Sequence, residues 1–201
     1  MIKKIILIII LILSNHNIFA DTIILNNGKS IEGNIVEEAN NLEKYTNSKY
    51  GFSIFKPKDW RIVEETDDFL KNNQVPGVKV ICGFTKEYDL AKSIFISIGL
   101  RDNPKNEVVP EKYVEIMKAS SEPFEKNRLG EPEVTILDNG QTVVVEAVQI
   151  PLPGYDIDMH ATTTYFFGNE KIYVVGVMGF GEDLRQNAYL IDKIINSFKI
   201  L

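Results

Sequence analysis

Tyr50-Gly51-Phe52-Ser53-Ile54-Phe55-Lys56-Pro57-Lys58-Asp59-Trp60 is the stretch on which the fold turns. Side chains alternate across a strand, so Tyr50, Phe52 and Ile54 share one face while Gly51, Ser53 and Phe55 take the other. Pro57 cannot donate to a ladder and ends the strand, and Lys58-Asp59-Trp60 turns the chain into Arg61-Ile62-Val63. This is the first strand of a domain that buries one face.

Working outward, Val78 to Thr85 and Ser93 to Leu100 are consecutive apolar runs expected to pair antiparallel. Two hairpins follow. Val134 to Leu137 and Thr142 to Ile150 flank Asp138-Asn139-Gly140, a turn of residues that tolerate positive φ. Met159 to Phe167 and Lys171 to Met178 flank Gly168-Asn169-Glu170. Pro110 suits a first helical turn, with Tyr113, Met117 and Ser120/Ser121 at helical spacing up to Pro123. Near the end, Leu184, Ala188, Ile191, Ile195 and Phe198 step by 4, 3, 4 and 3, one face of a helix whose first turn carries Glu182 and Asp183. Short hairpin loops with a few packed helices predict an α+β domain with a mostly antiparallel sheet.

The N-terminal side reads differently. Residues 1–20 hold Lys3 and Lys4, an apolar run from Ile5 to Leu13, and small Ala20 before Asp21, the layout of a secretory signal peptide. Nine apolar residues are too few to span a bilayer, which takes about 20. Thr22 to Leu25 and Ile31 to Val36 then form a hairpin around Asn26-Asn27-Gly28-Lys29-Ser30, and the polar segment Asn40 to Ser48 reads as a linker into the main body. The expected division is 1–20 leader, 21–44 hairpin and linker, and 45–201 domain, in a protein exported to the periplasm or beyond.

The chain has 201 residues, 22 Lys and Arg against 28 Asp and Glu, one Cys and two His. Cleavage after Ala20 would leave 181 residues with a formal charge of −8, because only two lysines and no acids precede the cut. An acidic chain lacks the basic footprint for nucleic acid or anionic lipid, and no stable membrane anchor is expected after cleavage. Cys82 stands alone, so no intramolecular disulfide forms. No cysteine at the cut means no lipid attachment there.

The opening stretch, with Tyr50-Gly51-Phe52-Ser53-Ile54, Lys56-Pro57 and Trp60 in place, resembles the opening of PsbP-like proteins. The ending Ile194-Ile195-Asn196-Ser197-Phe198-Lys199-Ile200 is similar to their closing helix end. The resemblance covers residues from about 45 to 201. It implies an α/β/α sandwich around a central antiparallel sheet, preceded here by the N-terminal hairpin. The family includes an extrinsic photosystem subunit, a Ran-binding transport factor and many exported bacterial proteins, and in characterised cases the fold is a docking module. No catalytic residue carries over. Leu25-Asn26-Asn27-Gly28 through Ile31-Glu32-Gly33 looks like a segment common in exported bacterial proteins.

Candidate chemistry is sparse. His16 leaves with the leader, so any His-assisted nucleophile or His-rich metal site rests on His160. Gly-x-Ser-x-Gly, His-Glu-x-x-His and the Walker lysine motif are absent. In Asp156-Ile157-Asp158-Met159-His160 the three polar side chains share a strand face, at about 6.6 Å between neighbours and about 13 Å end to end. Asp158 and His160 are therefore the plausible metal-ligating pair, against a solvated polar face. Gly176 to Gly181 fits no phosphate loop, since Glu182 and Asp183 would repel an anion there, and reads as close backbone packing. Glu64-Glu65-Thr66-Asp67-Asp68 reads as a hydrated acidic loop, lacking the ligand spacing of a calcium loop. Cys82 reads as a buried small hydrophobe. Trp60 and Tyr155 are the candidate partner contacts, each weighed against ordinary packing or turn chemistry. No cofactor is expected. The combined expectation is a non-catalytic binding or accessory protein that docks an envelope protein or small ligand.

Overall fold

A computed structural model describes residues 22–24, 30–32, 41–72, 77–87, 93–119, 127–151 and 159–201. The first pair, β1 (Thr22–Ile24) and β2 (Ser30–Glu32), is the expected hairpin, with Ile23 opposite Ile31. The next segment differs from its reading as a linker: β3 (Leu42–Asn47) pairs along its length with β4 (Phe52–Pro57). Its polar residues stand on an edge, where water covers one face, so composition alone does not mark it as a strand. Between the two strands Gly51 sits at φ +70°, a conformation that an L side chain resists. Tyr50 and Gly51 therefore belong to a turn, and the strand starts at Phe52.

After β5 (Arg61–Glu64) comes the short helix α1 (Asp68–Asn72), followed by β6 (Lys79–Thr85) and β7 (Phe95–Asp102). The helix α2 (Pro110–Ala119) starts on Pro110 with Glu111 in its first turn and buries Tyr113 and Met117. Then come β8 (Glu133–Ile136), β9 (Thr142–Ile150), β10 (Met159–Phe167) and β11 (Lys171–Phe180), the two hairpins expected from the turn residues. The expected single C-terminal helix is two, α3 (Gly181–Gln186) and α4 (Ala188–Asn196), with β12 (Lys199–Ile200) after them. The break falls at Asn187, whose backbone N–H and side-chain amide both donate to the Asp183 carbonyl. The break also resets the face: Leu190, Ile194 and Ile195 are buried on α4, and Phe198 is buried beyond it.

Seven strands form the main sheet in the order β5-β6-β7-β11-β10-β9-β8, and β12-β4-β3 form a smaller one. Every paired strand among the described residues is antiparallel. The main sheet buries both faces. Ile96, Ile98 and Leu100 face a cluster with Phe52, Ile54, Leu190, Ile194 and Phe198, so the small sheet and α4 cover that side. Phe198 stacks on Phe52 at 5.6 Å and meets Phe166 at 4.4 Å, which locks the chain end to both sheets. Phe95, Val80, Ile172 and Val174 face a second cluster with Tyr113 and Met117 of α2. A register shift between Val80 and Cys82 turns both Ile81 and Cys82 into the first cluster. The result is an α+β sandwich with a central antiparallel sheet.

Candidate functional site

The register aligns the end of β7 with the start of β6 and of β11. Lys79 stands opposite Leu100, and Lys171 opposite Asp102. Arg101, between those two positions of β7, points to the opposite face of the sheet, toward α2. An open cleft of about 490 Å³ wraps this sheet end, lined by Tyr50, Lys79, Leu100, Arg101, Asp102 and Lys171 with Gly77 and Val78. Three of the lining side chains are cations and one is an acid. In an acidic chain this is a local reversal of sign.

Arg101 is fixed from two sides. Its Nε donates to the Gly77 carbonyl at 3.0 Å and its Nη1 to the Tyr113 hydroxyl at 2.6 Å, with the guanidinium 6.0 Å from the Tyr113 ring centroid. A planar fork held this way has little rotamer freedom left to lose. Lys171 contrasts with it: among the described residues its ammonium makes no hydrogen bond or ion pair. Tyr50 forms the remaining wall. Its carbonyl accepts from the Tyr173 hydroxyl at 2.9 Å, and the Lys49 and Lys79 ammonium groups lie 4.7 and 5.5 Å from its ring centroid.

Glu65, expected in a hydrated loop, is tied into this wall. Its carboxylate meets Lys79 at 2.7 Å and Lys49 at 3.4 Å and accepts from the Tyr50 hydroxyl at 2.5 Å. The Lys79 ammonium first, and then the Tyr50 hydroxyl, hold the Glu65 carboxyl down at about 2. Of its neighbours in that acidic run, Glu64 closes β5 and Asp68 opens α1.

A second polar network lies under α2. Arg128 Nε meets Glu146 Oε1 at 2.6 Å with both side chains nearly buried, Arg128 Nη2 donates to the Met117 carbonyl, and the Tyr165 hydroxyl donates to Glu146. Burial pushes the Tyr165 hydroxyl up, so it remains a donor at all ordinary pH. Tyr165 packs on Tyr113 at 4.9 Å between ring centroids, so the ring that orients Arg101 rests on this network.

The residues singled out from sequence fall elsewhere. Asp156, Asp158 and Tyr155 lie outside the described residues. His160 is half-buried on β10 opposite Gln149 and Gly179, with its ring against Gly181. Among the described residues no group of three or more His, Cys, Asp or Glu is arranged to hold a metal ion. Trp60 is 8% exposed and packs in the first core cluster, so its ring is a core surface and offers no docking platform. Cys82 is 1% exposed, and burial pushes its thiol up to about 12, the opposite of a reactive cysteine. A Cβ on Gly176 would sit 2.8 Å from Ser97 Oγ, the close packing expected for that glycine run. No described helix is long and apolar enough to cross a membrane. Sequence reading missed Lys79, Arg101 and Lys171, because their only signal is a cation at a strand end and the strand order that unites them is not local.

No family model and no curated protein matches the chain. Solved structures do. The solution structure of cyanobacterial PsbP (CyanoP) from Synechocystis is 16% identical, with a TM-score of 0.57 over 80% of this chain and 93% of that one. A crystal structure from Bacteroides thetaiotaomicron is 8% identical, with a TM-score of 0.52 over 80% of this chain and 49% of that one. The Saccharomyces cerevisiae Ran-binding protein Mog1p is 9% identical, with a TM-score of 0.45 over 80% of this chain and 95% of that one. With the antiparallel central sheet, the small sheet closed by the C-terminal strand and the stacked Phe52 and Phe198 in place, the chain has a PsbP-like fold.

Proposed function

We propose that this is an exported, non-catalytic binding or accessory protein of a bacterial envelope, which docks another protein or a small ligand. Residues 1–20 act as the leader, 21–44 carry the hairpin, and 45–201 form the docking domain, with Leu42 to Lys44 already paired in its small sheet. One observation carries the reading: the cleft at the end of β6, β7 and β11 is walled by positioned charges and a tyrosine ring. Such a surface supports recognition of a polar or charged partner.

The test is photocrosslinking in the native envelope, with a photoreactive side chain at exposed Asp102 in the cleft or at exposed Val109 beside α2. Docking predicts a discrete adduct from position 102 and none from 109. Equal adducts from both, none from either, or substantial turnover on a hydrolase panel abolished by one point change, would each overturn it. Mass spectrometry of the native protein should find Asp21 at the N-terminus, and a full-length cytosolic chain would remove the export reading.

A further inference from the structure

Independently of the docking reading, we infer that Asn139-Gly140 is a site of spontaneous covalent modification, deamidation through a succinimide, which the fold holds off by clasping the Asn139 amide to the end of α4. In that reaction the Gly140 nitrogen attacks Cγ of Asn139, the Cγ–Nδ2 bond breaks, and ammonia leaves with the proton of the Gly140 nitrogen. Water then opens the ring at either carbonyl, leaving an aspartyl or isoaspartyl residue at 139. Glycine puts no side chain in the way: nothing lies within 4 Å of where a Gly140 Cβ would stand, and both residues are exposed to water.

Four hydrogen bonds hold the two residues away from that attack. The Gly140 N–H is committed to the Leu137 carbonyl at 2.8 Å, in a turn that keeps Gly140 at φ +82°. Asn139 Oδ1 accepts from the Gln141 N–H at 2.9 Å, while Asn139 Nδ2 donates to Gln141 Oε1 at 2.8 Å and to the Asn196 carbonyl at 2.6 Å. The leaving group is thus itself a cap on the last residue of α4. Asn196 returns the contact, since its Oδ1 accepts from the Asp138 N–H at 2.9 Å. Attack therefore waits for the clasp to open. Deamidation removes the donor and sets a carboxylate against the Asn196 carbonyl, at the helix end where the dipole disfavours negative charge. Asp138 and Asp192, whose carboxyl is raised by burial and by Asp138, are the acids already there. The clasp does not re-form, and α4, whose Leu190 and Ile194 cover the main sheet, loses its tie to the β8–β9 turn.

The experiment incubates the intact protein at mildly alkaline pH, in native buffer and in concentrated urea, and follows position 139 by peptide mapping. Asn27-Gly28, the chain's other Asn-Gly pair, is resolved as a separate peptide. Conversion at Asn139 should be at least about tenfold slower in the folded protein than in urea, because only opened molecules react. Asn196→Ala, which removes the acceptor of the Asp138 N–H, should raise the folded rate about threefold, as loss of one hydrogen bond allows, and leave the rate in urea unchanged. Asn139→Asp, which reproduces the product, should lower the melting temperature by about 4 °C. Asn169→Asp makes the same charge change in the exposed β10–β11 turn and should lower it by less than about 1 °C. Equal rates in buffer and in urea, no conversion in urea, an unaltered folded rate in Asn196→Ala, or an Asn139→Asp protein that melts with the wild type would each overturn the inference.

Discussion

Arg128 and Glu146 offer the sharpest test of how this sandwich is held. Their Nε and Oε1 atoms are 2.6 Å apart, and the side chains are only 12% and 11% exposed. With charge centres about 4 Å apart and an effective dielectric near 20, the attraction is about 4 kcal/mol, which desolvation largely offsets. The net value of the pair is therefore small, and the cost of separating it is large. Arg128→Met leaves the Glu146 carboxylate buried with the Tyr165 hydroxyl as its remaining described donor, and also removes the Arg128 donor from the Met117 carbonyl. It should lose about 3 to 4 kcal/mol. Glu146→Gln keeps shape and an acceptor but strands the guanidinium, for about 2 kcal/mol. The double variant Arg128→Met/Glu146→Gln should cost at least about 1.5 kcal/mol less than the sum of these two single changes. Urea denaturation followed by fluorescence suits the measurement, because Trp60 is the only tryptophan and is buried in the core. Losses below about 0.5 kcal/mol for each single variant, or strict additivity, would refute the reasoning.

Three further outcomes follow from particular contacts. A Cβ on Gly83 would lie 2.5 Å from Phe95 Cζ and 3.0 Å from the Ile96 carbonyl, so Gly83→Ala should cost about 2 kcal/mol in urea denaturation, while Gly130→Ala, with nothing within 4 Å, stays within about 0.5. Burial first, and then the neighbouring Asp138, raise the Asp192 carboxyl above its ordinary value of 3.8. Its ionised form is thus costlier in the folded chain, so Asp192→Asn, which can still accept from the Asn196 amide, should stabilise by about 0.5 kcal/mol at pH 7. That gain should vanish as pH falls below 3.8, where the carboxyl is protonated in both states. Glu65 has the opposite sign: its carboxyl is lowered from 4.5 to about 2, so its contribution is present above pH 4.5 and lost as pH falls toward 2. With its side chain one-third exposed, Glu65→Gln should cost under about 1 kcal/mol at pH 7, and the difference should close in acid in parallel thermal melts.

What local pattern carries, the sequence made legible. Asn139-Gly140 between Ile136 and Thr142 is a turn whichever way the sheets pack, and the β-branched run from Thr142 to Val145 is a strand for the same local reason. The failures share a physical cause, in that water or a distant strand decides them. Leu42 to Asn47 is polar because it lies at an edge, and only its pairing with Phe52 to Pro57 makes it a strand. Asn187 breaks the C-terminal helix through its own amide on the Asp183 carbonyl, within a run whose spacing reads as continuous helix. The cleft was illegible for a stronger reason. Asp102 meets Lys171 only because β7 pairs with β11, and the first strand of the last hairpin never touches β7.

The same division separates what fixes the fold from what sets the charge of its cleft. In the opening stretch, Gly51 makes the turn, Phe52 and Ile54 fill the core, and Trp60 is buried against it. Lys56, 4% exposed, places its ammonium on the Pro57 and Trp60 carbonyls and on Glu43, one acceptor for each N–H. It therefore works as an internal strut for the loop that carries Trp60, at a position where a charge would otherwise be costly. Only Tyr50 in that stretch reaches the cleft, and its neighbours there, Lys79, Arg101 and Lys171, lie outside it. A protein could keep every residue from Gly51 to Trp60, retain this sandwich, and still present a different surface by changing three strand-end cations. Resemblance through the opening stretch thus speaks for architecture, and the charge pattern at the ends of β6, β7 and β11 is where proteins of this fold can differ in what they hold.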